Sequence, residues 1–182
     1  MARTAKLTII LGTNGTGKTT MLRHILDSSP QRALVVTSHV EEWTDLPENN
    51  LATPQDFIFH DRQRHIIRRD YTIDRLKYFK QGILVFDDCK TFIGDKNTAL
   101  EELLIARRQL ELDIFYIAHG FTRVPPLFYP YFSDLILFRT KDNPSSRKKD
   151  LLQYKEIMEV QKRINQRAQE NPHYYERLTF DQ

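Results

Sequence analysis

Nine residues, Gly12 to Thr20 (GTNGTGKTT), gather three of the chain's six glycines, four threonines and a lysine. Gly12, Gly17, Lys18 and Thr19 fit the Walker A pattern G-x-x-x-x-G-K-[ST]. The chemistry of such a loop is anion capture. Glycines let the backbone curl and turn successive N–H groups toward one point. A helix beginning there adds unpaired N–H groups and the positive end of its dipole. Thr13, Asn14, Gly15, Thr16 and Thr20 complete the expected cradle for a nucleoside triphosphate. Lys18 is expected to reach the β- and γ-phosphates, and the Thr19 hydroxyl to ligate Mg²⁺.

A second group of residues narrows the chemistry. In GILVFDDCK, four apolar residues, Ile83 to Phe86, lead into Asp87 and Asp88. A buried strand ending in a carboxylate suits a Walker B site, with Asp87 facing Mg²⁺ opposite Thr19. A carboxylate one residue on can orient and polarise a water for attack on the γ-phosphorus, which is the role expected of Asp88. Mechanical NTPases commonly carry glutamate there, so Asp88 is one methylene short. Cys89, beside these acids, is expected to be inert, because neighbouring carboxylates oppose thiolate formation.

Arg107 and Arg108 end a helical stretch, where the dipole favours positive charge. The alternative is that one of them is an arginine finger, given across a subunit boundary to a neighbour's γ-phosphate. The run DIFYIA then delivers His119 to the carboxyl end of a strand, the edge where ligands sit in open α/β sheets. His119 is expected to bond the γ-phosphate or the attacking water, or else to face solvent. HDRQRHIIRRD (His60–Asp70), with Arg62, Arg64, Arg68 and Arg69, reads as a solvated helix face or loop. Its functional alternative is a phosphate-tracking patch for nucleic acid. SSRKK (Ser145–Lys149) is a second such stretch.

These residues need a scaffold. Apolar, β-branched runs at Leu7–Leu11, Ala33–Thr37, Ile83–Phe86, Ile114–Ala118 and Leu135–Phe138 are mostly continuous rather than alternating, as in parallel strands covered on both faces. Helical stretches at Thr19–Leu26, Tyr71–Phe79 and Thr98–Gln109 alternate with them, the last with Thr98 and Glu101 as a capping box. A final helix, about Asp150 to Gln169, precedes a strand at Tyr174–Phe180. The alternation predicts an α/β fold, a P-loop NTPase three-layer sandwich with a mostly parallel central sheet. One domain is expected over 1–182, with a core at about 6–140 and a C-terminal helix and tail at about 150–182.

Composition sets outer bounds. The 182 residues can bury a full core, with 40% hydrophobic and 28% charged residues and a net charge of only +3. Any nucleic-acid surface must therefore be local. No apolar run approaches the about 18–20 residues of a membrane span, and no secretory leader is recognisable. Cys89 is the only cysteine, so no internal disulfide can form; that fits a reducing compartment.

The motifs GTNGTGKTT, ILVFDDC, ARRQLELD, IFYIAHG and FSDLILFRT occur in an order that resembles the FtsK/HerA superfamily, over about Lys6 to Thr140. The compact length is similar to the genome-packaging ATPases of tailless, membrane-containing viruses. The resemblance implies ATP and Mg²⁺ as cofactors, DNA as partner, and a homo-oligomeric ring of five or six subunits. It further implies capsid or membrane-vertex proteins as contacts, and a location in host cytoplasm or virion. By the same resemblance Gly17, Lys18 and Thr19 bind nucleotide, Asp87 binds Mg²⁺, Asp88 positions water, His119 is a sensor, and Arg107 or Arg108 is the finger. Two other readings stay open: a Zot-like phage-assembly ATPase, and a small-molecule P-loop kinase whose arginines 62–69 close as a lid. A nucleotide-gated binding module without turnover is a third.

Overall fold

The computed structural model describes residues 5–68, 71–94 and 97–180. Five strands stand where the apolar runs lie: β1 (Leu7–Leu11), β2 (Ala33–Thr37), β4 (Gly82–Asp87), β5 (Leu112–Ala118) and β6 (Asp134–Phe138). β3 (Arg62–Ile66) and β7 (Tyr175–Thr179) complete a seven-stranded sheet in the order β3-β2-β4-β5-β1-β6-β7. Every pairing is parallel except β6 with β7, which is antiparallel. This is the α/β fold of a P-loop NTPase.

The continuous apolar runs have the expected cause. Successive residues point to opposite faces, and both faces are covered. Ile10, Val35, Val85, Ile117 and Ile136 pack with Leu22 and Leu26 of helix α1 (Lys18–Asp27). Ile9, Leu34, Leu84, Phe86, Ile114 and Leu137 pack on the other side. There they meet Leu100, Leu103 and Leu104 of α3 (Thr98–Ala106) and Ile157, Val160 and Ile164 of α4 (Tyr154–Arg167). Ile73 of α2 (Tyr71–Arg75) joins the same face. The result is three layers, with α1 on one face and α2, α3 and α4 on the other.

Three local expectations change. The N-cap of α3 is Asn97, whose side chain accepts from Leu100 N, so a single side-chain cap one residue earlier replaces the Thr98–Glu101 capping box. The predicted helix Tyr71–Phe79 tightens after α2 into a 3₁₀ turn over Leu76–Tyr78.

The third correction concerns the arginine-rich stretch, whose residues 62–66 form a strand rather than a helix or loop, while Arg68 beyond it is exposed. Arg62, Arg64 and His65 lie on edge strand β3. Arg62 donates to Asp27 (2.5 Å) and to the Leu26 carbonyl (2.7 Å). Arg64 donates to the carbonyls of Val40 (2.9 Å) and Glu42 (2.7 Å). His65 is buried between the Asn49 carbonyl and Thr72, and burial lowers its pKa. These groups tie the edge strand to its neighbours. Arg69 lies outside the described residues. In the second basic stretch, Arg147 donates to the carbonyls of Phe121, Thr122 and Val124, so it too is structural.

Candidate active site

The parallel strands bring their carboxyl ends to one edge, and the loops leaving them form the site. The loop after β1 behaves as its sequence requires. Gly15 and Gly17 have φ of +74° and +96°, a region open to glycine but strained for most residues. Gly12 has a different constraint: a Cβ there would lie 2.6 Å from Phe138 Cβ and 2.8 Å from Thr16 Oγ1. Backbone bonds from Gly12 N to the Ala118 carbonyl and Thr13 N to the Arg139 carbonyl moor the loop to β5 and β6. No side chain caps α1 and its first turn has no acid, so its N–H groups face the cleft available to an anion.

Lys18 is folded back into this loop. Its Nζ donates to the carbonyls of Gly12 (2.7 Å) and Thr13 (3.0 Å). Burial pulls its pKa below the usual lysine range, partly opposed by the charges of Asp87 and Asp88.

β4 lies two strands from β1, with β5 between them. At about 4.8 Å per strand, this sets the acid pair roughly 10 Å from the loop, room for phosphates and a hydrated ion. Asp87 ends β4 and is 7% exposed. Its Oδ2 accepts from Trp43 Nε1 at 2.8 Å. Burial raises its pKa, against the Trp43 bond. A buried carboxylate with this one charge-neutral donor is disposed toward a cation. Thr19 and Asp87 offer hard oxygen ligands from opposite walls of one cleft, a donor set that fits a Mg²⁺ ion completing its shell with phosphate and water.

Asp88 has φ +49°, turning the chain out of the strand in the left-handed region that aspartate tolerates better than most residues. Its backbone is fixed by Asp88 N bonding the Ile117 carbonyl and by Ser38 Oγ donating to its own carbonyl. Its carboxylate lies between two histidines. His39 Nε2 is 3.2 Å from Asp88 Oδ2 and His119 Nε2 is 3.4 Å from the same oxygen. Ser38, His39 and Trp43 follow β2 and were not singled out in the sequence. Cys89 is buried, with Sγ against the Val36 and Asp87 carbonyls, and burial pushes its thiol pKa well up. That matches the inert reading.

These groups line a cleft of about 610 Å³ that holds Asn14, Gly15, Gly17, Lys18, Thr19 and Thr20 on one side and Asp87, Asp88 and His119 on the other. Thr16 lies behind the loop, where its hydroxyl donates to the Thr13 carbonyl. The two arginines do not join this cleft. They precede β5, whereas His119 follows it, so about 20 Å of strand separates them from the site of their own subunit. Arg107 is 5% exposed and donates to the carbonyls of Leu104 and Tyr131, with its guanidinium over the Tyr131 ring. These bonds make Arg107 a structural residue and remove it as a finger candidate. Arg108 is exposed.

No protein-family model and no curated protein matches the chain. Solved structures do match. The crystal structure of B204, the DNA-packaging ATPase from Sulfolobus turreted icosahedral virus, has a TM-score of 0.70 at 14% identity, with 100% of both chains covered. The chain shares the B204 fold. The genome-packaging NTPase B204 from Sulfolobus turreted icosahedral virus 2, in complex with AMPPCP, gives a TM-score of 0.68 at 14% identity over 88% of this chain and 86% of that one. The same protein in complex with ATP-gammaS gives 0.68 at 15% identity over the same shares. The likeness in fold covers the whole of this chain, beyond the stretch from Lys6 to Thr140 that carries the motifs.

Proposed function

We propose that the chain hydrolyses ATP and uses the cycle to move DNA, acting as an oligomeric ring in genome packaging. The observation that carries the reading is the meeting, in one cleft, of a lysine-bearing anion loop and the acid pair Asp87–Asp88 that ends β4, two strands away. The B204 fold and the motif order support the packaging role.

The residues divide the work. The free N–H groups of the loop and of α1 receive the phosphates. Lys18 exchanges its bonds to the Gly12 and Thr13 carbonyls for phosphate oxygens, so the loop need not reorganise to be neutralised. Thr19 and Asp87 would hold Mg²⁺, which supplies positive charge to the phosphates when bound. Asp88 accepts a hydrogen bond from the attacking water and aligns it with the γ-phosphorus. His39 and His119 fix the Asp88 carboxylate, and His119, at the end of β5, couples that carboxylate to the next part of the sheet. Arg108 is too far from its own cleft to assist there, so its charge serves a neighbouring subunit's γ-phosphate. Such a group contributes roughly 10³–10⁵ in rate.

The test is phosphate release from Mg·ATP with and without DNA, together with the mass of the assembly in solution. The proposal expects turnover without any acceptor hydroxyl, stimulation by DNA, and an oligomer. A lone subunit indifferent to DNA would overturn the motor. Turnover that depends on a small-molecule hydroxyl would indicate a kinase instead.

A further inference from the structure

We propose that the C-terminal strand forms the platform for the base of the bound nucleotide. The inference rests on the phosphate site just described and extends it to the other end of the ligand. A second cleft, of about 760 Å³, lies on the α1 face between that helix and β6–β7. Met21, Ile25 and Phe138 form its floor, and His24, His173 and Tyr175 its rim. Gly17 and Thr20 line both clefts, so the two are continuous at the first turn of α1.

That continuity sets the occupant. The acid pair and Lys18 hold the γ-phosphate end, on the β4 side of the loop. The ribose and base must then leave past the α-phosphate, on the β6 side, where the second cleft opens. A nucleobase is flat, with apolar faces and a polar edge, and this cleft has matching walls. Tyr175 is 45% exposed although its ring lies 5.1 Å from Phe138, tilted by 38°. It presents a large aromatic surface to water beside the phosphate loop. His173 lies against the loop itself: a Cβ placed on Gly17 would sit 3.2 Å from His173 Nδ1.

The platform is firmly mounted. Arg177 and Thr179 both bond Asp134 Oδ1, at 2.8 and 2.9 Å. Arg163 of α4 pairs with Glu176 of β7, and Arg167 donates to the Tyr174 hydroxyl. These bonds preorganise the segment NPHYYERLTF before any ligand arrives.

The experiment compares Mg·ATP with Mg·tripolyphosphate, a ligand that has phosphates and no base, by calorimetric titration of the full chain. The wild type should bind ATP at least about tenfold more tightly, the scale of stacking on an aromatic side chain. Tyr175→Ala combined with His173→Ala should bring ATP down to the tripolyphosphate level and leave tripolyphosphate unchanged, and Tyr175→Phe should keep the preference. Equal affinity of the wild type for both ligands, or an unaltered preference in the double variant, would overturn the platform while leaving the phosphate site standing. Failure of the wild type to bind either ligand would overturn both. If Tyr175→Ala weakens both ligands together, β7 itself has been lost. His173→Ala, which changes an exposed side chain outside that strand, then decides by the same comparison.

Discussion

His39 Nε2 lies 3.2 Å from Asp88 Oδ2, so the carboxylate at the end of β4 is held from β2 as well as from His119 after β5. A histidine that donates Nε2–H to a carboxylate narrows the positions it samples, and orientation is a large part of what a water-positioning group supplies. His39→Ala is expected to lower kcat by about tenfold to a hundredfold with little change in the KM for ATP. His39→Gln, which can still donate to the carboxylate, should recover part of the loss. A rise in KM with kcat intact would place His39 in ligand binding instead.

Arg107 and Arg108 are adjacent in sequence and opposite in environment. Arg107→Ala removes the donors to two carbonyls and empties buried space, and should lower stability by about 2 kcal/mol. Arg108→Ala should leave the melting temperature within a degree or so and cost about 10³ in turnover. Mixing Arg108→Ala subunits with Asp88→Asn subunits should restore activity at boundaries where an intact arginine meets an intact cleft. Thermal unfolding and steady-state turnover on the two variants and their mixture check this.

Much of this arrangement is legible in the residues alone, and the limit has a physical cause. β1 and β2 fall on their predicted bounds because both faces are buried and the runs contain no charged residue, only the β-branched Thr8 and Thr37 among apolar ones. The anion loop is legible because all its parts are local. β3 is not legible: RQRHI has no apolar alternation, and its arginines are accommodated by carbonyls of Leu26, Val40 and Glu42. His39 and Trp43 are missed for a related reason. Their partners Asp88 and Asp87 are 49 and 44 residues away, and only the β2–β4 pairing brings them together. Arg107 and Arg108 look equivalent in sequence, and only packing against Tyr131 separates them.

Asp87 illustrates a conflict between stability and function. Burial disfavours its ionised form, and the side chain that donates to it, Trp43, is neutral. Asp87→Asn keeps an acceptor for Trp43 Nε1 and removes that charge. The variant should gain about 1 kcal/mol, equivalent to about 2–4 °C in melting temperature for a chain of this size. Addition of Mg·ATP should raise the melting temperature of the wild type and leave the variant nearly unmoved. Thermal unfolding with and without Mg·ATP gives both comparisons.

Asp134 anchors β7 and makes stability depend on acid pH. Burial would raise its pKa, but bonds from Thr179 and Arg177 and the charges of Arg177 and Lys6 outweigh burial and hold it below the usual carboxylate range. A carboxylate depressed in the fold stabilises above its unfolded pKa, about 3.9, and loses that contribution as pH falls through the folded value. Stability should therefore be flat with respect to this group above about pH 5 and decline below about pH 4. Asp134→Asn should abolish its share of the acid dependence and cost about 3 kcal/mol near neutrality, the low end for a buried pair because its basic partners are half exposed. Denaturant melts across this pH range measure both effects.

The most direct measurement of the central claim is single-turnover phosphate release from Mg·ATP by the wild type and Asp88→Asn, with nucleotide binding measured alongside. The account predicts that the variant binds ATP as tightly as the wild type and releases phosphate at least about a hundredfold more slowly. Equal release by the two proteins, or no release by the wild type in its assembled form, would contradict it.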